Sequence, residues 1–570
     1  MSRTLSANSN IDALRREAKR WLKSIASGDT DASDRFQRAF PSHDGAPTLR
    51  AVQQALAREH GFASWAELRQ ELEDRARTSA ERVRLFLEKS VNRYGVDPST
   101  RKWGDYERDG EARGRLAGRL LARQPGLSRV SIHTAVAAHD VDAVRLFLAK
   151  DAALASEPAA FDGWTPLARL AYARLPVDDV PAKAIAIARL LLDAGADPDA
   201  AWTDGDNRFT PLVGVIGGGE ARQAAHPAAE PFARLLIARG ADPFAPQALY
   251  NTSLGPDSTF WLDLLWSESE ARGETHKWTG PAPMELGGKA SKNALCYLSG
   301  NAVPEHILRA RWLLEHGADA TGTNFYSHEP LMKRALLAGR DDVAALLLQH
   351  GAAPLRLTDE ETFLAAVAAA DLDATRRLAT AHPDVLTRHT AMFSAIRRHH
   401  TDIAAALLDL GMSPDIGDDK NCRALHYCAQ CGAVEIARML IARGAEIDPF
   451  DGRYGGSPLT HAIYNGQHET ASLLASHSRN FRGLCFAGAT ERLRALLTEH
   501  PDRANREDRP GEPALFCLPD DQETAVEVAE LLLAFGADAR FKNPLGQTPA
   551  EAARRRGLDD AAALLDDAAR

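Results

Sequence analysis

The 570-residue chain predicts an all-α fold, a solenoid of stacked helix pairs with a small helical domain in front of it. Three observations carry this prediction. A leucine-rich run closed by Gly-Ala-Asp and a turn recurs, as in "ARLLLDAGADPDA", "ARLLIARGADPFA", "ARWLLEHGADATG", "ARMLIARGAEIDP" and "AELLLAFGADARF". The closing glycines are Gly195, Gly240, Gly317, Gly351, Gly411, Gly444 and Gly536, and the spacings Gly317–Gly351 and Gly411–Gly444 are 34 and 33 residues. Finally, a hydroxyl residue followed by proline opens several units: Thr165-Pro166, Thr210-Pro211, Ser457-Pro458 and Thr548-Pro549.

Each part of the unit has a physical reason. The apolar spacing in "VEIARMLIARG" buries one helical face. Glycine supplies the left-handed residue that ends a helix, and Asp or Pro turns the chain. A Ser or Thr cap with proline at the first helical position starts the next helix. One such pair cannot hide its own apolar face, but stacked neighbours can. Degenerate copies fill the longer gaps: "WLDLLWSESEARG", "RRLATAHPD", "ASLLASHS" and "RALLTEHPD", with "GRLLARQPG" and "VRLFLAKDA" upstream. The expected organisation is a helical cap domain at 1–77, a connecting segment at 78–114, and about thirteen units over 115–570. The last unit, "NPLGQTPAEAARRRGLDDAAALLDDAAR", has Ala, Asp and Arg where inner units have Leu, which predicts a solvent-facing end.

These residues resemble the ankyrin-repeat family, through the "TPL" openings, "RALHYCAQCGAVEIARMLIARGAEID" and the Gly-Ala-Asp closings, over roughly 115–570. The head segment "LRAVQQALAREHGFASWAELRQELE" is similar to the helical preamble of bacterial ankyrin-repeat proteins, as are copies ending in "HPD" or "KDAAL". The resemblance implies a binding scaffold whose partner sits on the concave side, against inter-repeat loops and the first helix of each pair. It implies no single partner.

Composition narrows the function. The net charge of −10 is uneven: residues 1–126 carry 24 basic and 18 acidic side chains, the remainder 44 and 60. An acidic array repels phosphate backbones, which argues against nucleic acid. No apolar run approaches the ~20 residues that span a bilayer, and the N-terminus lacks the pattern of a secretory signal, so a cytoplasmic protein is expected. In the head, Gly61 between two amphipathic helices permits a helix–turn–helix reading in which Arg50, Gln53, Gln54 and Arg58 touch DNA. The acidic residues Glu59, Glu67, Glu71, Glu73 and Asp74 oppose it. The alternative is a cap whose Trp65, Phe62 and Leu68 pack on the first repeat.

Metal and nucleotide chemistry find little support. Cys422, His426, Cys428 and Cys431 have the ligand types of zinc. Their places in the repeat are those of core residues, with His426 where the family has a histidine bonded to loop backbone. The glycines Gly217, Gly218 and Gly219 lack the strand and lysine of a phosphate loop. The sequence therefore predicts no cofactor, no metal site and no catalytic residues.

Residues 161–328 depart from the rest. They hold insertions near 175–184, 217–231 and 276–293, and six of the nine tryptophans. Trp202, Arg208, Tyr250, Asn251, Trp278, Asn324 and Tyr326 fall in or beside inter-repeat loops; Trp164, Arg169, Tyr172 and Tyr297 fall in or near first helices. Aromatic and arginine side chains dominate binding energy at interfaces. These eleven residues are thus the expected anchors for a protein or peptide, whereas Trp261, Trp266 and Trp312 read as fillers between irregular helices. The rival expectation is a small-molecule pocket or enzyme under the inserted loops, with His276, His328, Asp206, Glu329 or Asp257 as acid and base.

Overall fold

A computed structural model describes residues 3–569, except 4, 6–8, 42, 44–45, 93–105, 205–206, 220–222, 281–292, 303–305, 325–326 and 510–511. The fold is an all-α repeat of helix pairs, with two short antiparallel hairpins, Trp202–Asp204 with Asn207–Phe209 and Glu507–Arg509 with Glu512–Pro513. Two compact units result: Met1–Ala76 together with Thr358–Arg570, and Arg77–Leu357. Among the described residues, no helix is long and apolar enough to cross a membrane.

The repeat works as its residues dictate. Thr165, Thr210, Ser457 and Thr548 each cap a helix by accepting the N–H three residues on, and a proline follows each. At the other end, Gly195 (φ 94°) and Gly444 (φ 85°) adopt the left-handed conformation that stops the helix.

In the 77–357 unit, pairs run from Ile132–Ala137 with Val141–Lys150 to Leu331–Leu337 with Asp341–Gln349. Two further helices, Ser79–Lys89 and Tyr106–Arg123, precede them and pack on each other. This unit buries three histidines. Burial holds His133 and His139 down to about 4 and His226 to about 2. Neutral histidine is thus required in the folded state, while the unfolded chain takes up protons near pH 6.5. Stability is full above about pH 6.5 and falls toward pH 4, by about 1.4 kcal/mol per pH unit for each histidine. The melting temperature of this unit should therefore drop between pH 7.5 and pH 5. His139→Asn, which tolerates the left-handed φ of 54° at that position, should blunt the drop.

In the other unit, the head forms helices Ile11–Ala26, Thr30–Ala39, Leu49–Glu59 and Trp65–Ala76. Trp65 and Leu68 are buried, as the cap reading requires, but their seat is the C-terminal repeats and not the first repeat. The Trp65 indole N–H donates to Asp560 at 3.0 Å, and the Leu49 N–H donates to Glu530 at 2.9 Å. Arg15 bonds Asp560, Lys19 bonds Asp567, and Arg50 reaches Glu523 and Glu527. The last unit keeps solvent-facing residues, Glu551, Arg554 and Arg555 among them, while Asp560 on helix Asp559–Ala568 is buried where it meets Arg15 and Trp65 of the head. The same packing removes the DNA surface: Gln53 is buried, the Gln54 amide donates to Ala63 O and accepts from Trp65 N–H, and Arg50 is neutralised.

Candidate partner-binding surface

Several large side chains of 161–328 turn inward. Trp164, Arg169, Tyr172, Asn251, Trp278, Tyr297 and Asn324 are all buried in this fold. The reason is local. Irregular units leave wide spaces between helices, and large flat rings fill them. Trp164 stacks on Trp202 (5.2 Å between ring centres), which stacks on Phe209 (4.3 Å). The Tyr172 hydroxyl donates to Thr210 O at 3.0 Å, and its ring lies where any Cβ on Gly214 would collide at 2.4 Å. Arg169 forks onto both oxygens of Asp162 at 2.8 Å. Asn251 donates to Gly217 O and so pins the glycine-rich insertion. The Asn324 side chain accepts from Ser327 N–H. Trp278 donates to the Ser269 hydroxyl and packs on Trp266 and Trp312. Of the expected anchors, Arg208 is exposed, Trp202 and Tyr250 are half-buried, and Tyr326 lies outside the described residues.

The acids and bases of the rival pocket are dispersed in role. Asp257 accepts the N–H groups of Leu308 and Arg309 at the start of a helix. His276 and His328 are exposed and Glu329 is half-buried; Asp206 and most of the 276–293 insertion lie outside the described residues. A cavity of about 520 Å³ sits elsewhere, among Ser79, Val83, Leu87, Leu127, Val130 and Phe161.

Large exposed aromatics cluster instead between Phe450 and Tyr464. Tyr464 is 92% exposed, Tyr454 70% and Phe450 58%. Their loop is stiff for identifiable reasons. Asp451 accepts from Arg453 N–H (2.8 Å), Tyr454 N–H (2.7 Å) and Gly456 N–H (2.8 Å), and from His461 Nε2 (3.0 Å). Burial pushes the Asp451 carboxyl up, but the N–H groups of Tyr454 and Gly456, with His461, hold it well below the usual carboxylate range. The His461 Nδ1 accepts from Gln430 at 2.9 Å. His426 accepts from Arg423 N–H through Nδ1 (3.0 Å) and donates through Nε2 to Gly456 O (3.2 Å). Burial keeps it neutral, near 4.

His426, Asp451 and His461 offer ligand atoms within 4.8 Å of one another, a spacing a metal could use. Each of these atoms already has a protein partner, so the group serves as a brace. Burial pushes the nearby Cys422 thiol up to about 11 and raises those of Cys428 and Cys431.

The preceding loop lies alongside. Gly452 N–H donates to Lys420 O, and the Asn421 amide donates to Phe450 O at 2.8 Å. The Tyr454 ring meets His461 at 6.0 Å, and Tyr464 follows His461 by three residues on the same helical face. Tyr427, half-buried on the neighbouring first helix, stacks on Phe393 at 3.8 Å. The result is a braced pair of loops carrying Phe450, Arg453 and Tyr454 into solvent.

Comparison with known proteins agrees with the repeat. Residues 363–451 match the family described as ankyrin repeats (3 copies). The chain is 32% identical over 126 residues to the B-cell lymphoma 3 protein homolog of Mus musculus, covering 21% of this chain and 28% of that one. It is 30% identical over 152 residues to an ankyrin repeat and KH domain-containing protein of Caenorhabditis briggsae, covering 27% and 5%. To the fem-1 homolog A-like protein of Mus musculus it is 28% identical over 152 residues, covering 27% and 22%. The chain therefore spans between 5% and 28% of the length of these relatives. Among solved structures, a predatory endopeptidase of Bdellovibrio bacteriovorus in complex with an immunity protein contributes a chain 19% identical, covering 31% of this chain and 96% of its own, with a TM-score of 0.26. Ankyrin repeats are thus present in this chain, and such repeats generally serve as protein–protein interaction modules.

Proposed function

We propose that this chain is a scaffold that holds a protein or peptide on the loops and first helices of the repeats spanning 389–464. It needs no cofactor in this role. The observation that carries the reading is the exposure of Phe450 and Tyr454 on a loop braced by Asp451, His426 and His461, and of Tyr464 at the end of the helix that follows it. Rigid aromatics lose little entropy when a partner covers them, and a braced loop needs no reordering. Among the described members of the 161–330 set, Arg208, Trp202 and Tyr250 have surface left to contribute. The helical head and the "HPD" closings support placing the chain among cytoplasmic bacterial ankyrin-repeat proteins.

A photo-crosslinking residue tests this. Benzoylphenylalanine at position 464 of the full chain, expressed in its source cell, should give one discrete protein adduct. The same residue at position 545, where Leu545 is exposed in the last repeat, should give none. The adduct should weaken at least tenfold with Tyr454→Ala, about the loss expected of one interface hot spot. Equal adducts at both positions, or indifference to Tyr454→Ala, would contradict the proposal.

A further inference from the structure

First helices His389–Arg397, Ala424–Cys431 and Pro458–Tyr464 pack side by side, and each runs into a left-handed residue: His399, Gly432 and Gly466. Two residues before that stop, the row across the stack reads Arg397, Gln430 and Tyr464. The Gln430 amide donates to His461 Nδ1 at 2.9 Å and reaches Cys422 Sγ at 3.9 Å. Arg397 comes from the helix before it, and Arg453 from the loop that leads into the helix after it. Both charges are felt beside Gln430. Burial raises the Cys431 thiol and Arg397 opposes the rise; burial, Asp418 and Asp451 raise the Cys422 thiol and Arg453 opposes them. Arg397 and Arg453 are exposed, and among the described residues neither is paired with an acid. The other cations nearby are taken: Arg423 pairs with Asp415 and Glu446, Arg443 with Asp409, and Lys420 with Asp419. The acids are engaged as well, since Asp418 accepts the N–H groups of Lys420 and Cys422, and Asp451 those of its own loop. In the next unit Arg482 is bonded to Glu512, so the unpaired cations end there.

We infer that the partner presents an acidic peptide segment, whose carboxylates seat on the Arg397 and Arg453 guanidiniums while its apolar side chains cover Tyr454 and Tyr464. This rests on the reading of 389–464 as the partner surface and gives that partner its chemistry. A guanidinium presents a planar fork of donors that matches a carboxylate. Rings beside it, once covered, exclude water and strengthen the ion pair. Complementary charge then selects the partner and speeds its arrival. Nucleic acid fits less well. Residues 389–464 carry seven basic and nine acidic side chains, so a chain with a phosphate at every residue meets net repulsion. A short acidic segment meets the two unpaired cations instead.

The test uses the purified full chain with benzoylphenylalanine at position 464 and biotinylated synthetic peptides that alternate leucine with glutamate, glutamine or lysine. Irradiation should attach the glutamate peptide about tenfold more than the other two, and rising salt should weaken the labelling. Arg397→Glu with Arg453→Glu should cut the glutamate adduct about tenfold. Should that pair lose its helical circular dichroism, Arg397→Gln with Arg453→Gln removes the charges without reversing them and should also cut the adduct. Equal labelling by the three peptides, or an adduct that survives the loss of both arginines, would overturn the inference. Stronger labelling by a single-stranded oligonucleotide would overturn it too, in favour of nucleic acid. In the source cell the two readings separate. A discrete adduct at position 464 that is indifferent to the arginine variants sinks the acidic chemistry alone, whereas the lack of any discrete adduct sinks the partner surface itself.

Discussion

Trp278→Ala should destabilise the 77–357 unit by about 3–5 kcal/mol, among the largest effects of any single substitution in the chain. The side chain is 0% exposed, donates to the Ser269 hydroxyl at 3.0 Å, and touches the rings of Phe244, Trp266 and Trp312. Truncation removes those contacts and leaves a cavity that neighbouring helices cannot close, since each is fixed by its own pair. Denaturant unfolding followed by circular dichroism measures the loss as a lower midpoint. Tyr464→Ala is the matched control. With 92% of its surface in water it should change stability by less than about 0.5 kcal/mol. A small effect at Trp278 and a large one at Tyr464 would reverse the assignment of core and surface.

The second large effect is expected at Asp162. Its carboxylate holds the Arg169 guanidinium at 2.8 Å through both oxygens, and Arg169 is 0% exposed. Asp162→Ala takes two charge-assisted hydrogen bonds from a buried cation and should cost about 3–5 kcal/mol. Arg169 is also bonded to Leu87 O at 3.2 Å and lies over the rings of Phe161 and Trp164, which hold it in place. Adding Arg169→Met to Asp162→Ala removes the buried charge, and the double variant should recover part of the loss. Equal destabilisation by the single and double variants would show that lost packing, not charge, sets the cost.

The local rules of this fold are readable from residue types alone. Gly-Ala-Asp closings, hydroxyl caps and prolines at first helical positions act within a few residues, so Thr165, Thr210, Ser457 and Thr548 identify helix starts without knowledge of the rest. The placement of the head is different. Nothing within residues 1–77 specifies which part of the array it packs on, because the choice rests on Asp560, Glu527 and Asp567, hundreds of residues away. The alternation of Ala and Asp in the last helix reads equally well as a solvated end or as a seat for a basic partner.

The orientation of the aromatic side chains is not legible for a related reason. Composition reveals where tryptophan is frequent, but not which way it points. Irregular units at 161–328 use Trp164, Trp202 and Trp278 to fill gaps, whereas the exposed aromatics sit in a regular unit where they attract no notice. Aligned on the left-handed residues Gly466 and Gly488 that end successive first helices, the position two residues earlier holds Tyr464 and Phe486. Tyr464 is exposed while Phe486 packs on the core, so the position alone does not separate surface from core.

Hydroxyl-radical footprinting of the intact chain tests the division of aromatics between core and surface most directly, since it reads every ring in one experiment. Phe450, Tyr454 and Tyr464 should oxidise at least tenfold faster than Trp164, Tyr172 and Trp278, in keeping with side chains in water against side chains sealed by packing. Comparable oxidation of the two sets, or faster oxidation of Trp164 and Trp278, would contradict the account and return the recognition surface to residues 161–328.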